Sequence, residues 1–160
     1  MTAFKSLCLA AMLAMTGTAS LAACAPPADA AALQAELLAN LNAERQAHGL
    51  PAVSHDAALD KAAQSHACDN ARRLSTSHVS SDGSRLQHRL KRAGYSFRAA
   101  AENTGRGFVS GKRAVEWWMN SPGHRNNILM GEVRDIGIGL ARSAAPDNRL
   151  HWIIVLGRSH

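Results

Sequence analysis

Leu33, Leu37, Leu38 and Leu41 fall on one stripe at helical spacing and predict a helix from Leu33 to about Ala47. Gly49 and Pro51 follow as cap and stop. A second stripe, Leu59, Ala62, Ala63, His66, Asn70 and Leu74, predicts a helix from about Asp56 to Leu74, with Ser54 as its cap and Asp56 in its first turn. Its alanines imply close packing. Ser84-Arg85-Leu86-Gln87 fits a capping box and opens a third helix that ends at Gly94. Tyr95 to Glu102 reads as extended. Lys112 to Met119 reads as a helix with Val115, Trp118 and Met119 inward. Ser121-Pro122-Gly123-His124 opens a short helical turn: Ser121 caps, Pro122 takes the first position and His124 the third. The period then changes. Ile136, Ile138 and Leu140 alternate with Gly137, Gly139 and Ala141, and Trp152 to Leu156 is an apolar run suited to a central strand. Helices before and between strands define an α+β layered domain.

The first residues do not belong to that pattern. Lys5 precedes an apolar stretch from Leu7 through Met15, and small residues follow. Residues 1–23 therefore read as a signal peptide, with an apolar run too short to span a bilayer. The segment ends Leu21-Ala22-Ala23-Cys24, which resembles a bacterial lipobox. That resemblance implies lipidation at Cys24, membrane lipid as a partner, and anchoring to the outer membrane, facing the periplasm or cell surface. Buried acyl chains supply about 0.8 kcal/mol per methylene. The competing reading is ordinary cleavage after Ala23 or Ala30 and a soluble secreted protein. Residues 24–32 are an Ala/Pro tether and residues 33–158 the domain. A lipidated Cys24 cannot pair, which leaves Cys68 as a lone, small, buried side chain.

Composition adds less. Of 160 residues, 46% are hydrophobic and 19% charged, which excludes disorder. The formal net charge is +6. Export removes nucleic acid as the natural partner, so the charge faces anionic lipid head groups or envelope polymers, or serves solubility. There is no HExxH, paired CxxC, GxSxG or phosphate-loop motif.

Three pieces stand out: Ser77-His78, Ala101-Glu102-Asn103, and Ser121 to Leu129 with its Pro-Gly-His-Arg core. In this order, with Leu41-Asn42-Ala43-Glu44-Arg45, Gly49-Leu50-Pro51, Trp118-Met119-Asn120 and Ile136-Gly137-Ile138-Gly139, they resemble the bacterial branch of the CAP superfamily. That group holds the cysteine-rich secretory proteins, antigen 5 and plant pathogenesis-related proteins, also called SCP-like domains. The resemblance covers about residues 33–157. It implies a three-layer α-β-α sandwich with a cleft lined by two histidines and two acids. His78, Glu102 and His124 match three of the four. The second acid is missing: Asn120 or Ser121 occupies its region, and helical geometry turns Glu116 elsewhere.

The chemistry of these residues stands apart from the resemblance. Two imidazoles and one carboxylate could form an open Zn2+ site at His78 and His124, with Glu102 beside them and a position left for water. They could equally hydrogen-bond a polar ligand, or Glu102 could fasten loop N–H groups. His66 reads as a satisfied buried histidine. Trp117, Trp118 and Trp152 read as core and cleft wall, and the cations from Arg72 to Arg98 as a solvated face or head-group contact. Two functions follow as expectations. One is a non-enzymatic envelope module binding lipid or polymer. The other is a metal-assisted hydrolase of an envelope peptide or ester, with His78, Glu102 and His124 as its catalytic triad.

Overall fold

The computed structural model describes Cys24 and residues 26–160. The expected signal segment lies outside the described residues. In chain order the elements are α1 (Ala30–Ala47), β1 (Ser54–His55), α2 (Ala57–Arg73), α3 (Leu86–Ala93), β2 (Phe97–Arg106), α4 (Gly111–Met119), α5 (Pro122–Ile128), β3 (Asp135–Arg142) and β4 (Leu150–Ser159). The strands form one mixed sheet in the order β1-β3-β4-β2. The apolar run at Trp152–Leu156 is central, as its pattern predicts. β2 pairs antiparallel with β4 and forms an edge.

Alternation along the strands divides the core. Ile136, Ile138, Leu140, Trp152, Ile154 and Leu156 face one side and pack with Leu37 and Leu41 of α1, Trp118 of α4 and Ile128 of α5. Ile153 and Val155 face the other side and meet Leu59, Ala62, Ala63 and Ala67 of α2 and Leu90 of α3. The expected three-layer α-β-α sandwich is therefore present. Gly137 and Gly139 let α2 approach: a Cβ at either would run into α2 backbone at Leu59 or Ala63. Asp60 accepts from the Ile138 N–H at 2.8 Å, and Gln64 both accepts from and donates to the Leu140 backbone. These side chains occupy ladder groups that two-residue β1 leaves unpaired.

Several element ends differ from the sequence pattern. α1 begins at Ala30 because the alanines of the expected tether continue the helix. Ser54 lies in β1, parallel to β3, so Asp56 caps α2 by accepting from the Ala58 and Leu59 N–H groups. The expected capping box of α3 does not form: Arg85 precedes the helix with no side-chain cap, and its N–H donates to Nδ1 of His88. Ser84 is instead held by Arg92. β2 continues past Glu102 to Arg106.

Cys68, expected to stand alone, forms a disulfide with Cys24. A sulfur in a disulfide carries no thioether. The oxidised form described here is thus distinct from a chain lipidated at Cys24, and a correction to the lone-cysteine reading. Among the described residues, no helix is long and apolar enough to cross a membrane.

Candidate functional site

The site lies across edge strand β2, where the two outer layers meet. Side chains alternate along β2, so Glu102 points toward α2 and α3 while Asn103 points toward α5. Glu102 is buried, and both its oxygens are occupied. One accepts from Nδ1 of His78 at 2.8 Å, the other from Nη2 of Arg89 at 2.5 Å. The Arg89 guanidinium also donates to the carbonyls of His78 and Ser84 and to the Ser80 hydroxyl. One buried arginine thus fixes both the carboxylate and the loop that carries His78.

His78 donates from Nδ1, which leaves Nε2 as its free nitrogen on a half-exposed ring. His66 sits beneath. Its Nε2–H donates to the Ser77 carbonyl at 2.8 Å, and its Nδ1 accepts from the Ser80 hydroxyl at 3.0 Å. Burial lowers its pKa, with Glu102 acting in the opposite direction. The neutral ring is a satisfied core group, as its place on the inner stripe of α2 suggested.

His124 comes from the other layer, at the third position of α5 with Pro122 at the start, as predicted. Ser121 precedes that helix, but its hydroxyl does not cap backbone N–H groups. It bonds Nδ1 of His124 at 2.8 Å. Asn103 donates to the His124 carbonyl and accepts from Asn127. The His124 ring lies against Trp117, centroids 5.2 Å apart. Burial lowers its pKa, and the nearby His78 lowers it further. Between the imidazoles is a groove of about 460 Å3, walled by Thr76, Thr104, Arg106, Phe108 and Trp117. Arg106 pairs with Asp147, whose carboxyl is held down to about 2 by that guanidinium and by Ser143.

The structure thus brings His78, Glu102 and His124 to one place, but in unequal roles. Glu102 is a positioning group behind His78 rather than an open third ligand, because both oxygens are already engaged. Glu116 turns away, to Arg113 at 2.7 Å and Lys112 at 3.9 Å. Among the described residues, no three His, Cys, Asp or Glu side chains form a metal-binding group. A catalytic zinc takes three protein ligands. The two free imidazole nitrogens fall one short, so the expected Zn2+ centre does not fit this donor set.

Sequence reasoning missed Arg89, which it placed in a solvated basic run. A signal was available: Leu86, Arg89, Leu90 and Ala93 share one helical stripe, and an arginine inside an apolar stripe needs an acid. Nothing in the pattern could have shown that Ser121 would hold His124 rather than cap α5.

A three-layer sandwich with paired imidazoles across a sheet edge and a buried carboxylate behind one of them defines a CAP-type (SCP-like) domain. This chain belongs to that family: the model of the cysteine-rich secretory protein family, CAP, matches residues 38–156. The chain is 32% identical over 119 residues to the uncharacterized protein YkwD of Bacillus subtilis, covering 74% of this chain and 46% of that protein. It is 33% identical over 113 residues to the uncharacterized membrane protein YlbC of the same organism, covering 71% and 33%. The chain therefore spans less than half the length of either relative. Among solved structures, an extracellular SCP-domain protein of Bacillus anthracis superposes with a TM-score of 0.69 at 26% identity, covering 78% of this chain and 40% of that one. An outer surface protein of Borrelia burgdorferi superposes at 0.72 with 21% identity, covering 79% and 92%. That likeness concerns the fold.

Proposed function

We propose that this domain is an exported binding module of the bacterial envelope, taking a lipid or anionic-polymer ligand in the His78–His124 groove without chemical turnover. The observation that carries the reading is the double engagement of Glu102. With both oxygens committed and no second acid among the described residues that line the groove, no free carboxylate there remains to act as general base. What the groove offers suits recognition: two imidazoles, the Thr76 hydroxyl, and the aromatic faces of Phe108 and Trp117. Export is supported by the N-terminal pattern and by the extracellular character stated for the Bacillus anthracis relative.

One observation favours the hydrolase reading. The Glu102–His78 hydrogen bond orients the ring and leaves its second nitrogen facing the groove. The two readings separate in one experiment. The purified chain and a His78→Ala/His124→Ala double variant are sedimented with purified peptidoglycan and with phosphatidylglycerol vesicles. The probes are then analysed by mass spectrometry, with and without zinc. Retention on one probe, weakened at least about tenfold in the variant and with no new product, is the expected result. Zinc-dependent cleavage that the variant lacks would replace the binding reading with the hydrolase. Retention indifferent to both histidines would remove the groove from the function.

Cys24 has two exclusive uses, lipid attachment or the bond to Cys68. The disulfide favours a released, oxidised form as the second reading of location. An intact-mass measurement on protein from the envelope and from the medium separates them: acyl mass on Cys24 supports the anchor, and loss of two hydrogen atoms across Cys24 and Cys68 supports release.

A further inference from the structure

A second pocket lies on the α2/α3 layer, apart from the groove, with a volume of about 330 Å3. Lys61, Ser65, Asp69 and Arg72 form one stripe of α2 along its wall, and Arg92 of α3 and the Ser80–Asp82 loop close it. Its acids are already used. Asp69 accepts from the Ser81 hydroxyl and N–H and from Arg73. Asp82 accepts from the Ser84 N–H and from Arg92, and those contacts hold its carboxyl below the ordinary range. Its cations are not all used. Lys61 has no ion-pair partner among the described residues, and Arg72 only reaches Asp69 at 3.8 Å. Arg89 also borders this pocket. It is buried, and its Nε–H is among the few buried polar side-chain atoms without an acceptor.

Unpaired Lys61, the loosely paired Arg72 and the Ser65 hydroxyl line one concavity, with the unpartnered Arg89 N–H buried behind it, and together they lack only an acceptor-rich anion. We infer that this pocket binds a tetrahedral oxyanion, a phosphate group either free or at the head of a lipid. Arg72 and Lys61 supply charge at its mouth, and Ser65 can donate a hydrogen bond beside them. The site is independent of the groove ligand proposed above. Because Arg89 also holds Glu102, an occupied pocket would sit one side chain away from the partner of His78.

The test is calorimetric titration of the purified chain with inorganic phosphate at constant ionic strength. A parallel arm sediments the chain with phosphatidic acid vesicles against phosphatidylcholine vesicles. Lys61→Ala/Arg72→Ala is compared with Lys112→Ala/Arg113→Ala on α4, which removes the same charge elsewhere. Binding of either probe at about 10 mM or tighter, weakened at least tenfold by the first variant and less than twofold by the second, is the expected result. Response to free phosphate identifies the soluble source, and response to vesicles alone identifies the head group. Failure of both probes to bind would overturn the inference, as would equal weakening by the two variants, since that reports net charge rather than a site.

Discussion

The sheet is covered on one side by volume and on the other by hydrogen bonds. Toward α1, α4 and α5 the core is Trp118, Trp152 and a set of leucines and isoleucines, and both indole N–H groups end on backbone carbonyls. Toward α2 and α3 alanine is the commonest apolar residue, and His66, Asp69, Asn70, Arg89 and Glu102 are buried alongside. The small side chains bring α2 close to the glycines of β3. The polar network then positions the loop that carries His78. The two sides thus hold the domain by different means, and its groove is found where the two layers meet.

The sharpest way to break that contrast is to cut each side once. Trp118→Ala removes a fully buried ring and should cost about 3–5 kcal/mol in urea denaturation. Arg89→Met should cost a similar amount, about 3–5 kcal/mol, for a different reason: it strands the buried Glu102 charge. Adding Glu102→Leu to Arg89→Met should recover part of that loss. A double variant worse than Arg89→Met alone would mean that the network contributes more than charge compensation. Cys68→Ser opens the loop closed by Cys24 and Cys68, and should cost about 2–4 kcal/mol. Reductant should reproduce that loss in wild type and do nothing to the variant.

The smallest effect concerns pH and should track the polar side. His66, His124 and His151 have lowered pKa values, each chiefly through burial. As pH falls below about 6.5, the unfolded chain takes up protons that the folded rings refuse, so stability should decline from neutral toward pH 5. Above that range these groups contribute no slope. Two of the three belong to the α2 side of the sheet, so His66→Gln should flatten the profile of urea midpoints. An unchanged slope in His66→Gln would place the pH sensitivity elsewhere.

The legibility of this chain follows the same division. Apolar periodicity marked α1, α2, α4 and the central β4, because volume leaves a repeating trace. β1 left none, being two residues long and held by partners distant in sequence. The second half of β2 was hidden because Glu102, Asn103 and Thr104 are polar yet buried, spending their groups on His78, His124 and Thr76. His78, Glu102 and His124 were legible through the family resemblance alone. Their roles were not, since the decisive partners, Arg89 and Ser121, are ordinary residues whose importance lies in where the fold puts them.

Ser121 beside His124 carries one more implication. Neither residue supports the core, and the groove is assembled from side chains that reach over an edge. A lineage could therefore exchange Ser121 and the exposed residues around the two imidazoles with little penalty to folding. The scaffold is a socket whose fittings are replaceable, and relatives that share its outline need not share a ligand.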